Sequence, residues 1–141
     1  MQILLSEQQM QLNLMRLSHQ LVEHYEKLDE LVFIGIQPRG TPVAEALVKL
    51  IAKNTGNDVR YGCLDITFYR DDIREELHIP KETHLTHSIE GKNVILIDDV
   101  LYTGRTIRAA LDALQDFGRP QKVQLCVLVN RRFNRELPIQ P

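Results

Sequence analysis

Two adjacent carboxylates and a threonine-rich turn follow an apolar run in the stretch VILIDDVLYTGRT, residues 94–106. Asp98 and Asp99 come directly after four apolar residues that are typical of a buried strand. Carboxylates of this kind bind hydroxyl groups or a divalent cation. Thr103, Gly104 and Thr106 then lead into a predicted helix, whose first N–H groups and nearby hydroxyls suit a phosphate. A ligand with a phosphate at one end and a diol or metal at the other, such as a ribose 5-phosphate, fits both halves.

A simpler interpretation is that the two aspartates begin a turn and that Thr106 caps a helix. The order of all these features at the end of one buried strand favours a ligand site. The glycine motifs of other nucleotide sites are absent from the sequence, which has neither G-x-x-x-x-G-K-[ST] nor a G-x-G-x-x-G in its first strand-to-helix turn. A receiver domain is also disfavoured, because the acidic pair follows the third strand and no later strand ends in a lone lysine.

The elements that position this stretch alternate between strands and helices. Ser6 and Gln9 form a predicted capping box, followed by an apolar stripe at helical spacing. A continuous apolar run at 31–36 predicts a buried strand, and Thr41 is the predicted cap of the next helix with Pro42 at its first position. The stripe consists of Met10, Leu14, Leu17, Leu21, Tyr25 and Leu28.

The second half of the chain continues the pattern. We expect strands within 59–69, at 93–97 and at 122–129, and a helix at 106–117. Alternation of this kind predicts an α/β fold with a mainly parallel sheet flanked by helices. Ligands bind beyond the carboxyl ends of such strands, where the acidic pair lies. The polar segment at 70–92 is too long for an ordinary connection and predicts a mobile flap.

Length and composition are consistent with one soluble domain spanning residues 1–141. The chain has 43% hydrophobic and 26% charged residues, and its net charge of −2 gives no overall attraction to nucleic acid or membrane. No segment approaches the roughly 18 apolar residues of a membrane span. Cys63 and Cys126 fall in strand-like runs and are expected to be reduced core residues. The predicted location is the cytoplasm.

The stretch at 94–106 resembles the phosphoribosyl pyrophosphate (PRPP) signature of type I phosphoribosyltransferases. The resemblance extends over nearly the whole chain to the PyrR family, which combines uracil phosphoribosyltransferase activity with attenuation of pyrimidine operons. It is carried by GIQPRG, LDITFYRDD, DDVLYTGRTIRAALDAL, GRP and RELPI, in that order. YRDD and GRP distinguish this family from relatives that use hypoxanthine, adenine or orotate.

The resemblance implies a role for each matching position. Asp98, Asp99 and Arg39 would be the catalytic residues, with the aspartates at the ribose hydroxyls and the arginine at the pyrophosphate. Mg²⁺ would be bound with PRPP and not by a dedicated protein site. The positions implied to contact PRPP are Arg39, Gly40, Tyr69, Arg70, Val94, Asp98, Asp99, Val100, Leu101, Tyr102, Thr103, Gly104, Arg105 and Thr106.

The resemblance also implies a pyrimidine-operon leader RNA as a partner, besides PRPP, uracil and uridine nucleotides. Arg16 and His19 fall opposite the apolar stripe of the first helix, and Arg131, Arg132 and Arg135 make the tail locally basic. Met15 stands where the family usually has threonine. Relatives form dimers and larger assemblies, so a dimer or tetramer is expected here.

Relatives in the family continue past ELPIQP into a hood over the base, so the resemblance predicts that the hood is truncated at Pro141. The residues that read the base are therefore not assigned. Two alternatives to a uracil-specific enzyme and regulator stay open. One is a nucleotide-binding RNA regulator with little or no catalysis, and the other is a phosphoribosyltransferase for another base.

Overall fold

A computed structural model describes residues 6–66, 89–131 and 136–141. Its helices are α1 (Glu7–His24), α2 (Gly40–Thr55) and α3 (Arg105–Leu114), with a short 3-10 turn at Leu28–Glu30. Its strands are β1 (Leu31–Ile36), β2 (Arg60–Leu64), β3 (Asn93–Leu101) and β4 (Lys122–Asn130). The predicted alternation of strands and helices is confirmed for these residues.

The four strands form one parallel sheet in the order β2-β1-β3-β4. Val32 of β1 lies between Arg60 of β2 and Val94 of β3. All six residues of β1 are buried, as expected for a central parallel strand covered on both faces. The prediction of an α/β fold with a mainly parallel sheet is therefore confirmed.

Helices α2 and α3 cover opposite faces of this sheet. Leu47 of α2 packs with Phe33 and Ile95 in a cluster that also includes residues of α1. Ala110 of α3 packs with Leu96 in the cluster on the other face. The two loops that leave the neighbouring strands β1 and β3 therefore turn toward opposite faces.

Helix α1 begins as the sequence predicts. The Gln9 N–H donates to the Ser6 hydroxyl at 3.2 Å, and the Ser6 N–H donates to the Gln9 side chain at 2.9 Å. Burial on this helix begins at Leu14, and Met10 is 39% exposed. Met10 is thus wrongly predicted as part of the buried stripe, because it lies one turn before the contact with the sheet layer.

The start of α2 also differs from the prediction. The helix begins at Gly40 with Arg39 at the N-cap and no side-chain capping bond, so Thr41 lies inside the first turn. A Cβ on Gly35 would lie 2.7 Å from the Thr41 Cα. The chain therefore turns into the helix immediately above β1, and the three-residue loop leaves no room for a later cap.

The predicted flap at 70–92 lies mostly outside the described residues, but its last part is described. Ile89 is 1% exposed and belongs to the core cluster on the α3 face. The Gly91 N–H donates to the Arg119 carbonyl, and the Arg119 N–H donates to Glu90. Residues 89–92 are therefore fixed to the body of the domain and do not belong to a flap. Within the described ranges, no helix is both long and apolar enough to span a membrane.

Candidate functional site

The acidic pair lies where β3 extends past its neighbour β1. Pairing of β1 with β3 ends at Gly35 opposite Ile97. Strand β3 continues through Asp98 to Leu101 and pairs there with β4 alone. The strand is thus four residues longer than the predicted 93–97. Its extension places both carboxylates at the carboxyl edge of the sheet, above the end of β1.

This edge is a topological switch point. The chain leaves β1 toward α2 on one face and leaves β3 toward α3 on the other. In open α/β sheets, ligands usually bind in the crevice at the carboxyl ends of strands whose loops separate in this way. A ligand in such a crevice meets one helix N-terminus from each side.

Gly40 brings the first of these loops against β3. A Cβ at this position would lie 2.1 Å from the Ile97 carbonyl oxygen and 3.1 Å from the Asp98 Cα. Only glycine allows so close an approach. Arg39, the preceding residue, is exposed and lies near enough to Asp98 to lower the pKa of that carboxyl. The structure thus brings together Arg39, Gly40 and the acidic pair, as the sequence predicts.

The Asp98 carboxyl is 7% exposed, and burial raises its pKa to about 7. The Asp99 N–H donates to Asp98 Oδ1 at 2.8 Å and lowers the pKa, whereas the Asp99 side chain raises it. Asp99 is half-buried and its Oδ1 accepts the Val100 N–H at 2.8 Å. A nearby hydroxyl or cation would favour the charged form of Asp98. The arrangement suits binding of a polar ligand.

The loop after β3 is a short turn into α3. Gly104 has a φ of +95° and is the N-cap of the helix, which begins at Arg105, one residue earlier than predicted. The Arg105 N–H donates to the Thr103 hydroxyl at 3.2 Å. Thr106 follows in the first helical turn and is half-buried. Hydroxyls and amides therefore gather where a helix N-terminus favours an anion.

Two members of the predicted contact set are corrected. Val94 is fully buried and Leu101 is 1% exposed, both in the core cluster on the α3 face. Both side chains are packed in this core and are not accessible to a ligand. Val100 is half-buried and Tyr102 is 38% exposed, so both remain compatible with the prediction.

Sequence reasoning missed a contact between the loop and the C-terminal segment. The Thr103 carbonyl accepts N–H groups from Glu136 and Leu137 at 2.9 and 3.0 Å. The Arg105 Nε lies 2.5 Å from Glu136 Oε2. These residues are about thirty positions apart along the chain, and no periodic pattern links them.

The residues predicted to contact RNA lie in different places. Arg16 and His19 are exposed on α1. Arg131 follows β4, and its guanidinium lies 4.2 Å over the ring of Tyr102 in the loop. Arg132 and Arg135 lie outside the described residues, as do Tyr69 and Arg70 of the predicted PRPP set.

Residues 2–140 match the family described as "Phosphoribosyl transferase domain". The chain is also 49% identical over 140 residues to "Bifunctional protein PyrR" of Actinobacillus pleuropneumoniae serotype 5b, covering 98% of this chain and 78% of that protein. This chain belongs to the phosphoribosyltransferase family, within the PyrR proteins. A PyrR protein of Picosynechococcus is 48% identical over 139 residues, again covering 98% of this chain and 78% of the relative. The family predicted from the sequence is confirmed.

Solved phosphoribosyltransferases share the fold. A hypoxanthine phosphoribosyltransferase from Staphylococcus aureus superposes with a TM-score of 0.76 at 26% identity, covering 99% of this chain and 73% of that one. A hypoxanthine-guanine phosphoribosyltransferase from Bacillus anthracis gives a TM-score of 0.76 at 22% identity, covering 99% and 79%. The second likeness concerns the fold alone. The predicted type I phosphoribosyltransferase fold is confirmed.

Proposed function

We propose that this protein transfers the phosphoribosyl group of PRPP to uracil, and that it regulates pyrimidine genes by binding their leader RNA. The observation that carries the enzymatic part is the crevice at the end of β3. There the buried Asp98 and the half-buried Asp99 lie at the end of β3, with Arg39 near Asp98 and the Thr-Gly-Arg-Thr turn into α3 following them. The high identity to proteins named bifunctional supports a second, regulatory role.

The loop from Tyr102 to Thr106 is the proposed site of the 5-phosphate. The N-terminus of α3 supplies N–H groups and a partial positive charge, and Thr103 and Thr106 add hydroxyls. Asp98 and Asp99 would accept hydrogen bonds from the ribose hydroxyls. These interactions hold the ribose so that its C1 faces the base.

Arg39 and Gly40 are the proposed pyrophosphate site. Arg39 is exposed at the N-cap of α2, and an arginine guanidinium presents several N–H donors in a geometry that matches phosphate oxygens. The backbone at Gly40 lies against β3, so the N-terminus of α2 faces the crevice from the side opposite α3. Negative charge grows on the pyrophosphate as it leaves, and this end of the site would stabilise it.

In the proposed reaction, N1 of uracil forms a bond to C1 of the ribose while the C1–oxygen bond to pyrophosphate breaks. The pyrophosphate takes the bonding electrons, and the proton on uracil N1 is released. The transition state has oxocarbenium character and needs no protein nucleophile. The contribution of the protein is orientation and charge stabilisation. Water must be excluded because it competes for C1, and Tyr69 and Arg70 are the proposed start of the covering flap.

Mg²⁺ is proposed to bind together with PRPP. Within the described residues, no three His, Cys, Asp or Glu side chains are grouped closely enough to hold a metal. A carboxylate pair beside substrate oxygens suits Mg²⁺, which is usually held by one or two carboxylates and phosphates. The ion would be held mainly by oxygens of PRPP, where it would neutralise charge on the pyrophosphate.

The regulatory proposal is supported by basic residues on the surface. Arg16 and His19 are exposed on one side of α1, where they can contact RNA phosphates. The Arg131 guanidinium stacks on Tyr102 of the loop proposed to bind the 5-phosphate, which would place a third contact near the nucleotide. Assembly into a dimer or tetramer in the cytoplasm would bring several such surfaces together.

The test is release of pyrophosphate from PRPP and Mg²⁺ with uracil, hypoxanthine, adenine or orotate as acceptor. We expect turnover with uracil only. Turnover with another base instead of uracil would mean that the other base is the substrate. PRPP and UMP binding without turnover would instead favour the regulator with little or no catalysis.

A further inference from the structure

The C-terminal segment Glu136–Ile139 contacts the loop to which the proposed function assigns the 5-phosphate. The N–H groups of Glu136 and Leu137 both donate to the Thr103 carbonyl. The Glu136 carboxylate binds the Arg105 guanidinium. A Cβ on Gly104 would lie 3.1 Å from the Leu137 Cβ and 3.4 Å from the Ile139 Cδ1. Polar and apolar contacts thus converge on three consecutive loop residues.

The direction of the Thr103 carbonyl also sets the direction of the next amide. In a planar trans peptide the C=O of one residue and the N–H of the next point to opposite sides. With the Thr103 carbonyl held toward Glu136 and Leu137, the Gly104 N–H is turned away from that segment. An amide N–H at the cap of a helix is the kind of donor that binds phosphate. Anchoring the carbonyl therefore orients a phosphate donor.

We propose that Glu136 and Leu137 are positioning residues for the 5-phosphate of the substrate. They act through the loop: the two N–H groups fix the Thr103 carbonyl, Glu136 fixes the Arg105 side chain, and Leu137 packs over Gly104. The inference rests on the proposed assignment of this loop to phosphate.

A purely stabilising role is a poor explanation for the Arg105–Glu136 pair. Both side chains are about half exposed, 47% and 48%, and exposed ion pairs contribute little to stability. The pair instead restricts a loop that lacks regular backbone pairing between β3 and α3. Its effect should therefore appear in the binding of ligands that carry a 5-phosphate.

The experiment compares Glu136→Ala, Glu136→Gln and the double variant Glu136→Ala/Leu137→Ala with the wild type. Asp112→Ala on the exposed surface of α3 is the matched control, since it also removes one negative charge. Calorimetry measures the binding of PRPP, UMP and Mg²⁺-pyrophosphate. The first two carry a 5-phosphate, and the third binds only at the Arg39 end of the site.

We expect Glu136→Ala to weaken the binding of PRPP and of UMP by about threefold, in line with the loss of an exposed ion pair. The double variant should weaken the binding of both ligands by about tenfold, because it also loses a small apolar contact. Glu136→Gln, whose amide oxygen still accepts the Arg105 Nε–H, should stay within about 1.5-fold of the wild type. Pyrophosphate binding should not change in any variant. In turnover assays KM for PRPP should rise more than kcat falls.

Hydrogen exchange gives a readout that needs no ligand. The loop peptide spanning 101–108 should exchange faster in Glu136→Ala than in the wild type or Asp112→Ala. Equal losses of affinity for PRPP, UMP and pyrophosphate would indicate general destabilisation and would overturn the inference. Unchanged exchange of the loop peptide together with unchanged UMP affinity would also overturn it. If the wild type binds neither PRPP nor UMP, the proposed function fails. In that case faster exchange at 101–108 in Glu136→Ala would show only that Glu136 orders the loop, and the positioning of a 5-phosphate would be overturned together with the proposed function.

Discussion

Replacing the buried Asp98 should change how the stability of the protein depends on pH. The carboxyl is 7% exposed, and burial raises its pKa from 3.8 to about 7. Asp98→Asn removes the charge and keeps an oxygen that can accept the Asp99 N–H. We therefore expect the variant to be more stable than the wild type at neutral pH, and the advantage to shrink in acid.

The sign follows from proton binding in the two states. Between pH 3.8 and about 7 the folded chain binds more protons at Asp98 than the unfolded chain does, so the free energy of unfolding falls as pH rises. The contribution of the protonated carboxyl is fully present below 3.8 and is lost once the pH has passed about 7. The rise in pKa corresponds to about 4 kcal/mol, at roughly 1.36 kcal/mol for each pKa unit. About 2–3 kcal/mol of this stabilisation is lost as the pH rises from roughly 5 to 8.

The assay is urea unfolding of the wild type, Asp98→Asn and the exposed control Asp112→Asn at several values from about pH 5 to pH 8. The difference in unfolding free energy between Asp98→Asn and the wild type should grow by about 2–3 kcal/mol over this range. Asp112→Asn should follow the wild type. Parallel curves for the wild type and Asp98→Asn would refute the reasoning, because they would mean that folding does not raise the pKa of Asp98.

Three further predictions concern the proposed ligands. Thr103→Ala or Thr106→Ala should weaken PRPP binding by about 1–3 kcal/mol, the range for a lost hydrogen bond to a charged group; unchanged calorimetric affinity in the double variant would contradict the loop assignment. Arg39→Ala should lower kcat more than it raises KM while UMP affinity stays constant; lost UMP affinity with normal kcat would point to another role. Arg16→Ala should reduce the salt dependence of leader RNA binding by about one unit, and UMP should tighten that binding if the sites are coupled. Filter binding against a scrambled hairpin tests both, and equal affinity for the two hairpins would remove the RNA proposal.

Much of the fold could be predicted from the sequence, because β1 and the first part of β3 are continuous apolar runs and the helices have apolar residues at helical spacing. The residues at which the strands and helices begin and end were harder to predict. The two aspartates interrupt the apolar run after residue 97, yet residues 98–101 continue β3 because β4 extends alongside and pairs with them. Thr41 has the chemistry of a cap, but the close approach of α2 to Gly35 starts the helix earlier. Both differences come from neighbours in space that local patterns do not contain.

The candidate site also has a part that could be predicted from the sequence and a part that could not. The acidic pair and the phosphate loop are contiguous in sequence, so their joint chemistry could be predicted. Arg39 could be placed near them only through the resemblance to the family. Contacts of Glu136 and Leu137 with the loop depend on the path of the chain after β4, and the stacking of Arg131 on Tyr102 does as well. No residue type or spacing in the sequence indicates either contact.

The switch point between β1 and β3 determines how the site can be dissected. The loop proposed to bind pyrophosphate leads into α2 on one face, and the loop proposed to bind the 5-phosphate leads into α3 on the other. Arg39→Ala should therefore affect pyrophosphate and PRPP but not UMP, whereas Glu136→Ala should affect UMP and PRPP but not pyrophosphate. PRPP alone occupies both ends of the crevice and should respond to both substitutions. General unfolding would weaken the binding of UMP and of pyrophosphate together in both variants. A loss of pyrophosphate binding alone in Arg39→Ala and of UMP binding alone in Glu136→Ala would therefore require two separate sites that PRPP occupies at the same time.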